Sequence, residues 1–161
     1  MTAFIAPPFA AEIQEKLLAL NNAHAVELSY KTPEGFADLL VRASHVRAVP
    51  DGLALIVAFD EACSYDNANF FWLKERFPRF YYIDRVVVSE AARGRGLARR
   101  FYAELEERAR AEGRGRLVCE INSVPPNPQS DAFHEALGFV PVGEREAGEG
   151  KVVRYWAKDL L

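Results

Sequence analysis

The stretch V-V-V-S-E-A-A-R-G-R-G-L-A-R-R, from Val86 to Arg100, combines residue types that suit phosphate groups. Its three valines predict a strand, and its alanine- and arginine-rich end predicts a helix. Gly94 and Gly96 lie between these elements, where glycine lets the backbone approach a ligand without an intervening Cβ. Amides at a helix start bind anions, and arginine suits phosphate oxygens. The stretch therefore predicts a site for a diphosphate-bearing ligand; the alternative is a tight turn before a solvated helix.

Positive charge is concentrated near this loop. The formal net charge is −3, yet eight arginines lie between Arg93 and Arg116. The loop lacks the lysine and Ser/Thr of a P-loop, and its spacing is not the G-x-G-x-x-G dinucleotide fingerprint. Net acidity disfavours a general nucleic-acid binder, whose domain is usually basic. We therefore expect one anionic ligand bound at one place, and no nucleic-acid partner.

The remaining patterns predict the elements that position this loop. The strand pattern places Asp84 on the same face as Tyr82 and Val86. The element order indicates a mixed α/β fold in a single domain, residues 1–161. The predicted elements are a helix around residues 12–20, a helix after Thr32, a hairpin turning at Asp51-Gly52, a long loop with a helical turn over 60–78, a strand over 79–89, a helix from Leu97 to Gly113, a strand over 116–123, a short helix over 130–137 ending at Gly138, and a closing hairpin.

Two features of composition bear on location. The two cysteines, Cys63 and Cys119, form neither a metal-ligand spacing nor a disulfide framework, which favours a reducing compartment. No apolar run reaches the length of about 18 residues that a membrane span needs, and the first residues lack the pattern of a signal peptide. We expect a cytoplasmic protein with no metal site and no membrane partner.

The loop also resembles a known family. Arg93-Gly94-Arg95-Gly96-Leu97-Ala98 matches the R/Q-x-x-G-x-G/A signature of the GNAT-type acetyltransferases, in the same strand–loop–helix context. Asn127 and Ser130, followed by F-H-E-A-L-G-F over 133–139, resemble that family's N-x-x-A-x-x-L-Y-x-x-x-G-F segment. The chain is also similar to a subgroup of predicted acetyltransferases sharing Y-I-D-R-V-V-V and C-E-I-N-S-V-P-P-N-P-Q-S-D-A-F-H. The resemblance runs end to end and implies a mostly antiparallel sheet with a splayed parallel strand pair, flanked by about four helices.

The resemblance implies acetyl-coenzyme A as the ligand. The amides of Arg95 through Ala98, with the edge of Arg93–Gly94, would hold its pyrophosphate. The strand before the loop would pair with the pantetheine arm, and its amide near Val86 would stabilise an oxyanion. The residues expected to bind the cofactor are Val86, Val87, Val88, Arg93, Gly94, Arg95, Gly96, Leu97, Ala98 and Asn127.

The implied reaction is direct attack of an amine on the thioester in a ternary complex. Asp84 is the leading candidate for the base, because the family often has an acidic residue there; the alternative is a salt bridge with Arg85 or another arginine. Glu120 would bind or deprotonate the amine, or else pair with an arginine. His134 replaces the family's tyrosine, which protonates the thiolate; histidine can do acid work near neutral pH, or it only lines the cofactor. Cys119, in an apolar strand, is expected to be a core residue.

Two polar segments are candidates for the acceptor site: N-N-A-H at 21–24 and Y-D-N-A-N-F-F-W at 65–72. Loops carry specificity, and an aromatic, amide-bearing loop can close over a small amine. We expect Asn22, Tyr65, Asn69 and Trp72 to contact the acceptor, although packing against the sheet is the alternative for at least one aromatic residue. Val152, Tyr155 and Trp156 look exposed and could pair with a second subunit, so we expect a monomer or homodimer.

These expectations describe an N-acetyltransferase that moves an acetyl group from acetyl-CoA to a primary amine of a small molecule, amino acid or peptide. The alternative is a non-catalytic CoA- or acyl-CoA-binding sensor, which the His134 substitution keeps open. An RNA-binding arginine–glycine segment is disfavoured by the net acidity and by the shortness of the stretch.

Overall fold

A computed structural model describes residues 2–161; Met1, the first residue of the predicted domain, lies outside them. The helices are α1 Ala11–Ala23, α2 Ala25–Leu28, α3 Pro33–Arg42, α4 Ala68–Lys74, α5 Leu97–Ala111 and α6 Pro128–Ala136, with a 3-10 turn at Glu90–Ala92. The strands are β1 His45–Ala48, β2 Ala54–Asp60, β3 Tyr81–Val88, β4 Arg116–Val124, β5 Val140–Gly148 and β6 Lys151–Asp159.

Side-chain caps start several of these helices. Thr32 accepts a hydrogen bond from the Gly35 amide, and Pro33 occupies the first turn of α3, as the sequence predicts. Asn67 accepts from the amides of Asn69 and Phe70 at the start of α4. Asn127 does the same for α6, through the Ser130 amide. The caps satisfy amides that a helix leaves without an internal partner, so they fix where each helix begins.

The six strands form a mixed sheet in the order β1-β2-β3-β4-β6-β5. β1 and β2 form the predicted hairpin, and β5 and β6 form the closing one. The parallel pair is β3 with β4, registered at Tyr81↔Leu117 and Tyr82↔Val118. The chain therefore has the expected mixed α/β fold with one parallel pair in a mostly antiparallel sheet.

The chain divides into two compact units. Unit 1 consists of the chain up to Tyr65 and of Ile83–Leu105, and unit 2 consists of Asp66–Tyr82 and Glu106–Leu161. Each unit has buried apolar side chains of its own. In unit 1 they include Leu17, Phe36, Leu39, Ile56, Phe59 and Phe101; in unit 2 they include Phe70, Leu73, Phe80, Tyr82, Leu117 and Trp156.

Two features differ from the sequence-based expectations. The segment 60–78, expected to hold only a helical turn, contains the seven-residue helix α4, whose Phe70 and Leu73 are buried. Tyr155 and Trp156 are 0% and 1% exposed, so the expectation that they are exposed and available to a second subunit was wrong. Both lie on β6, which is flanked by β4 and β5 and is therefore an inner strand.

Candidate active site

The glycine loop of unit 1 presents backbone amides at the start of α5. Gly94 and Gly96 have φ angles of 82° and 69°, values that favour glycine. The Arg100 amide donates to the Gly96 carbonyl, so the amides of Leu97 and Ala98 precede the first hydrogen bond inside the helix. Amides arranged in this way, at the positive end of a fifteen-residue helix, form a nest that suits an anion.

The arginines of this loop differ in their contacts. Arg93 and Arg95 are exposed, and neither side chain has a partner among residues 2–161. Arg100 donates from Nη2 to the Thr2 carbonyl at 2.6 Å, and its guanidinium lies 4.3 Å from the Phe4 ring centroid. Two positive side chains at the nest are therefore available to a ligand, while a third braces the N-terminal segment.

The shape and charge of the loop suit a diphosphate. A Cβ added at Gly94 or Gly96 would meet no atom within 4 Å, so packing does not explain these glycines. Positive φ angles, open space and the two exposed arginines fit an anionic group that approaches the backbone closely. A surface pocket of about 210 Å³ also adjoins the loop, lined by Thr2, Val49, Asp51, Arg95, Leu97 and Arg100.

The valines expected to hold the pantetheine arm are Val86, Val87 and Val88, at the end of β3. Val87 is buried, whereas its two neighbours are half-buried. They lie farther along the strand than the register pairs of Tyr81 and Tyr82. The Ser89 amide then donates to the Leu53 carbonyl, where the strand gives way to the 3-10 turn. Their role in binding a cofactor stays a prediction.

Asp84 forms a buried ion pair in unit 1. Its Oδ2 accepts from Nε of Arg85 at 2.7 Å, and its Oδ1 accepts from the Tyr65 hydroxyl at 2.7 Å. The side chains of Asp84 and Arg85 are 4% and 5% exposed. Arg85 also donates from Nη1 to Oδ1 of the buried Asn21. The salt bridge weighed against a catalytic role is thus present, and the role of Asp84 as base stays a prediction.

The amide-bearing segment of unit 1 is held by its own side chains. Asn22 accepts from the Lys31 amide and donates to the Lys31 carbonyl, and Asn21 donates to the Ser29 carbonyl. Tyr65 stacks on Phe59 with ring centroids 4.0 Å apart. The structure thus joins Tyr65 to Asp84 and uses Asn22 to shape the segment after α2, so acceptor contacts of both residues stay predictions.

Glu120 lies on β4 in unit 2, beside two tyrosines. Its Oε1 accepts from the Tyr82 hydroxyl at 3.0 Å, and Tyr155 is its register partner on β6. Burial raises the pKa of Tyr155, and the negative charge of Glu120 acts in the same direction, while Arg145 opposes both. Glu120 is therefore a carboxylate in a polar, aromatic setting. The sequence predicted its position in the middle of a strand but not the tyrosines beside it.

Asn69 and Trp72, two predicted acceptor residues on α4, lie together in unit 2. The Trp72 ring stacks on Tyr155 with centroids 3.9 Å apart. Asn69 Oδ1 accepts from the Tyr155 hydroxyl at 2.8 Å and from Nη2 of Arg145 at 2.9 Å. Sequence reasoning missed Arg145 and the position of Tyr155. The alternation of β6 predicts the face on which Tyr155 lies, but not that Glu120 is its neighbour.

His134 and Asn127 lie on the α6 segment of unit 2. Asn127 caps the helix, a structural role beside its predicted contact with the cofactor. Nδ1 of His134 lies 2.7 Å from the Ser130 carbonyl, which can only accept, so Nδ1 carries the proton. Burial lowers the pKa of His134 below its usual 6.5, although the Ser130 carbonyl and Asp131 oppose this. A mostly neutral imidazole is a poor general acid at neutral pH.

Cys119 is buried, as expected of a core residue. Burial, followed by the neighbouring charge of Glu120, raises the pKa of the Cys119 thiol well above its usual 9.0. A thiol held in its neutral form is a poor nucleophile.

The sequence model of the acetyltransferase (GNAT) family matches residues 29–139. The chain belongs to this family. The matched span contains the Arg93–Ala98 loop, Asp84, Glu120 and His134. Family membership supports acyltransferase activity with an acyl-CoA donor.

Solved structures share the GNAT fold. The chain superposes on Naa20 of Chaetomium thermophilum, solved with a bisubstrate analogue, with a TM-score of 0.73, 16% identity and coverage of 98% and 86% of the two chains. For the ribosomal-protein-alanine N-acetyltransferase of Brucella melitensis the values are 0.68, 21%, 98% and 99%. For the NatC complex bound to Gag peptide and CoA they are 0.69, 14%, 98% and 99%. No curated protein sequence is significantly similar to the chain.

Residues 2–161 contain neither a candidate membrane span nor a candidate metal cluster. None of their helices has the length and apolar character needed to cross a bilayer. They contain no group of three or more His, Cys, Asp or Glu side chains placed to hold a metal ion.

Proposed function

We propose that this GNAT protein is an N-acetyltransferase that uses acetyl-CoA and acts on a primary amine of a small molecule, amino acid or peptide. The observation that carries the proposal is the loop at the start of α5. There the glycines have positive φ angles and open surroundings, and the side chains of Arg93 and Arg95 are exposed beside the first amides of the helix. The solved relatives named as N-acetyltransferases, or bound to CoA and peptide, support the same activity.

The residues of the loop would hold acetyl-CoA by its diphosphate. The amides from Arg95 to Ala98 donate to the diphosphate oxygens, and Arg93 and Arg95 neutralise their charge. Val86–Val88 offer backbone groups to the pantetheine arm, and Asn127 offers its amide. When bound, acetyl-CoA supplies an acetyl group activated as a thioester.

Proton transfer from the acceptor amine is assigned to carboxylates of this chain. Because both oxygens of Asp84 are engaged, a proton reaches it most directly through Tyr65, whose hydroxyl accepts a proton and passes its own to Oδ1. Glu120 is the candidate that orients the ammonium group. His134, held mostly neutral by burial, lines the site rather than acting as the acid. The protonated thiol of Cys119 favours direct transfer over a covalent intermediate on the protein.

The test is thiol release from acetyl-CoA in the presence of an amine panel. We expect turnover by the wild type and a loss of about 10²- to 10⁴-fold in kcat for Asp84→Ala, the range that general bases contribute. Asp38→Ala, which removes an exposed carboxylate paired with Arg42 in the same unit, is the matched control and should keep wild-type turnover. Circular dichroism must show that Asp84→Ala is folded, because it leaves the charge of Arg85 buried without its partner.

A non-catalytic CoA-binding sensor is the second candidate. The observation that favours it is the engagement of both Asp84 oxygens, which matches a purely structural carboxylate. CoA binding without thiol release across the panel would favour the sensor over the transferase.

We also propose a reducing, cytoplasmic location, since Cys63 and Cys119 are both free thiols.

A further inference from the structure

Arg145, on β5 in unit 2, is held in place by neutral groups. Its Nε donates to the Tyr155 hydroxyl at 2.9 Å, its Nη2 to Asn69 Oδ1 at 2.9 Å and its Nη1 to the Glu146 carbonyl at 3.2 Å. No carboxylate among residues 2–161 lies within ion-pair distance of Arg145. The guanidinium is thus oriented by three acceptors while its charge is balanced by none of them.

The groups that orient Arg145 are themselves packed and hydrogen-bonded. Tyr155 is fully buried, and Trp72 stacks on its ring. Asn69 Oδ1 accepts from Tyr155 and from Arg145 together, which closes a three-membered hydrogen-bond ring. Because the arginine is already ordered, an anion that binds it loses little affinity to side-chain ordering. The hydrogen bond from Nη1 lies in an exposed setting, so that edge of the guanidinium is open to solvent.

The negative charge of Glu120 also acts on Tyr155. Tyr155 pairs with Glu120 on β4 and with Gly143 on β5, so these residues share one face of the sheet. Arg145 lies two residues after Gly143 on β5, opposite Val153, and is therefore on the same face. Burial raises the pKa of Tyr155, Arg145 and Arg76 lower it, and Glu120 raises it, so charges of both signs act on this hydroxyl. Unit 2 therefore presents a fixed positive and a fixed negative side chain around Tyr155.

We infer that the acceptor is a zwitterion, an amine that also carries a carboxylate, and that Arg145 binds its carboxylate while Glu120 receives its ammonium group. Arginine suits a carboxylate because its planar fork can donate two parallel hydrogen bonds. The inference rests on the proposed function, which leaves open a small molecule, an amino acid or a peptide. It narrows that choice to free amino acids and amino-acid-like amines. If Arg145 were only a brace between α4 and β5, an uncharged donor would serve equally well.

The experiment measures acceptor binding by calorimetry in the presence of CoA. The probes are the standard L-α-amino acids and their α-amides, which differ only in the carboxylate. For the wild type we expect binding of one or more amino acids to exceed that of the matching amide by about 10- to 100-fold, as for a charge-assisted pair. In Arg145→Gln this preference should disappear through a loss of affinity for the acid, with the affinity for the amide unchanged.

Arg154→Gln is the matched control. Arg154 lies on the same hairpin but forms an exposed ion pair with Glu144, so its loss changes the net charge equally. This variant should keep the preference for the carboxylate. Arg145→Lys keeps the charge but loses the fork, and should retain part of the preference. Near-ultraviolet circular dichroism of the stacked Trp72 and Tyr155 shows whether each variant keeps the ring.

Three outcomes would overturn the inference: no amino acid binds better than its amide, the preference survives in Arg145→Gln, or Arg154→Gln loses it equally. Acetylation of the same compounds tests the proposed function separately. Amides acetylated as well as acids would contradict the inference and leave the transferase intact, whereas carboxylate-dependent binding without acetylation would contradict only the transferase.

Discussion

At the scale of single residues, Gly94 has a positive φ angle and an open neighbourhood that packing does not require. Its φ angle of 82° is costly for other residues, and its neighbourhood is open. We predict that Gly94→Ala lowers the free energy of unfolding by about 1 kcal/mol and weakens CoA binding about tenfold or more, because the added methyl group enters the diphosphate nest. Chemical denaturation and calorimetry measure the two effects.

Gly150 provides the control for this prediction. It has a φ angle of 76°, equally open surroundings, and a position in the β5–β6 turn. Gly150→Ala should therefore cost similar stability and leave CoA affinity unchanged. Equal losses of affinity in the two variants would show that strain, rather than contact with the ligand, causes the effect.

His134 gives a second residue-scale prediction, on pH. Because burial lowers the pKa of His134 in the folded state, the unfolded chain takes up a proton first as the pH falls below 6.5. Stability is therefore lost on acidification, whereas above that pH the imidazole is neutral in both states and contributes no pH dependence. We predict a smaller loss of unfolding free energy in His134→Gln than in the wild type between about pH 7.5 and 5.5.

His24→Gln is the control, since its ring nitrogen also lies near the carbonyl four residues earlier, in a half-exposed setting. The prediction for the buried histidine requires a larger change of the slope of stability against pH in His134→Gln than in this variant. An unchanged slope in His134→Gln would mean that other groups cause the acid sensitivity, and the argument against His134 as general acid would lose its basis.

At the scale of elements, α4 and the closing hairpin meet through Trp72 and Gly143. A Cβ at Gly143 would lie 2.5 and 2.6 Å from two atoms of the Trp72 ring. Gly143→Ala must displace that ring from Tyr155, and we expect a cost of about 1–3 kcal/mol, typical of overpacking. The near-ultraviolet dichroism of the stacked pair should fall. Gly115→Ala, whose Cβ would make an ordinary 3.4 Å contact with Leu161, should change neither quantity. A retained dichroism band in Gly143→Ala would contradict this packing.

The same elements show what the sequence could and could not predict. Thr32-Pro33, Asp51-Gly52 and the loop before α5 are local signals, because cap, turn and positive-φ requirements act within a few residues. The helix α4 was expected only as a turn because, although its Asn67 cap is a local signal, the burial of Phe70 and Leu73 depends on what packs around them. Likewise the alternation of β6 gives its faces but not its neighbours, so Tyr155 and Trp156 were wrongly taken as exposed.

The candidate site likewise has a part that local sequence signals predict and a part that depends on tertiary contacts. The Arg93–Ala98 loop is contiguous in sequence, so its place between a strand and a helix could be predicted. The polar ring of Asn69, Arg145 and Tyr155 joins α4, β5 and β6, which are distant in sequence. Similarly, Tyr65 and Asn21 reach the Asp84–Arg85 pair from outside β3. Contacts of this kind are set by the tertiary fold, which is why sequence patterns suggested some members and not their partners.

At the scale of the whole molecule, binding of a ligand should increase the free energy of unfolding. A ligand that binds only the folded state at 100 times its Kd adds about 2.7 kcal/mol to the free energy of unfolding. For a chain of 161 residues each kcal/mol raises the Tm by about 2–4 °C, so saturating CoA should raise the Tm by about 5–10 °C. Differential scanning fluorimetry with increasing CoA measures the shift.

The Tm shifts caused by fragments of CoA show whether the loop is responsible for the shift with CoA. Pantetheine lacks the diphosphate and should raise the Tm little, because it makes no contact with the amides at the start of α5. The nucleotide 3′,5′-ADP retains adenosine and phosphates and should give an intermediate shift that falls as salt screens Arg93 and Arg95. In Gly94→Ala the CoA shift should shrink while that of Gly150→Ala is kept. Equal shifts with pantetheine and CoA would locate the affinity outside the loop, and no shift with either would exclude CoA as the ligand.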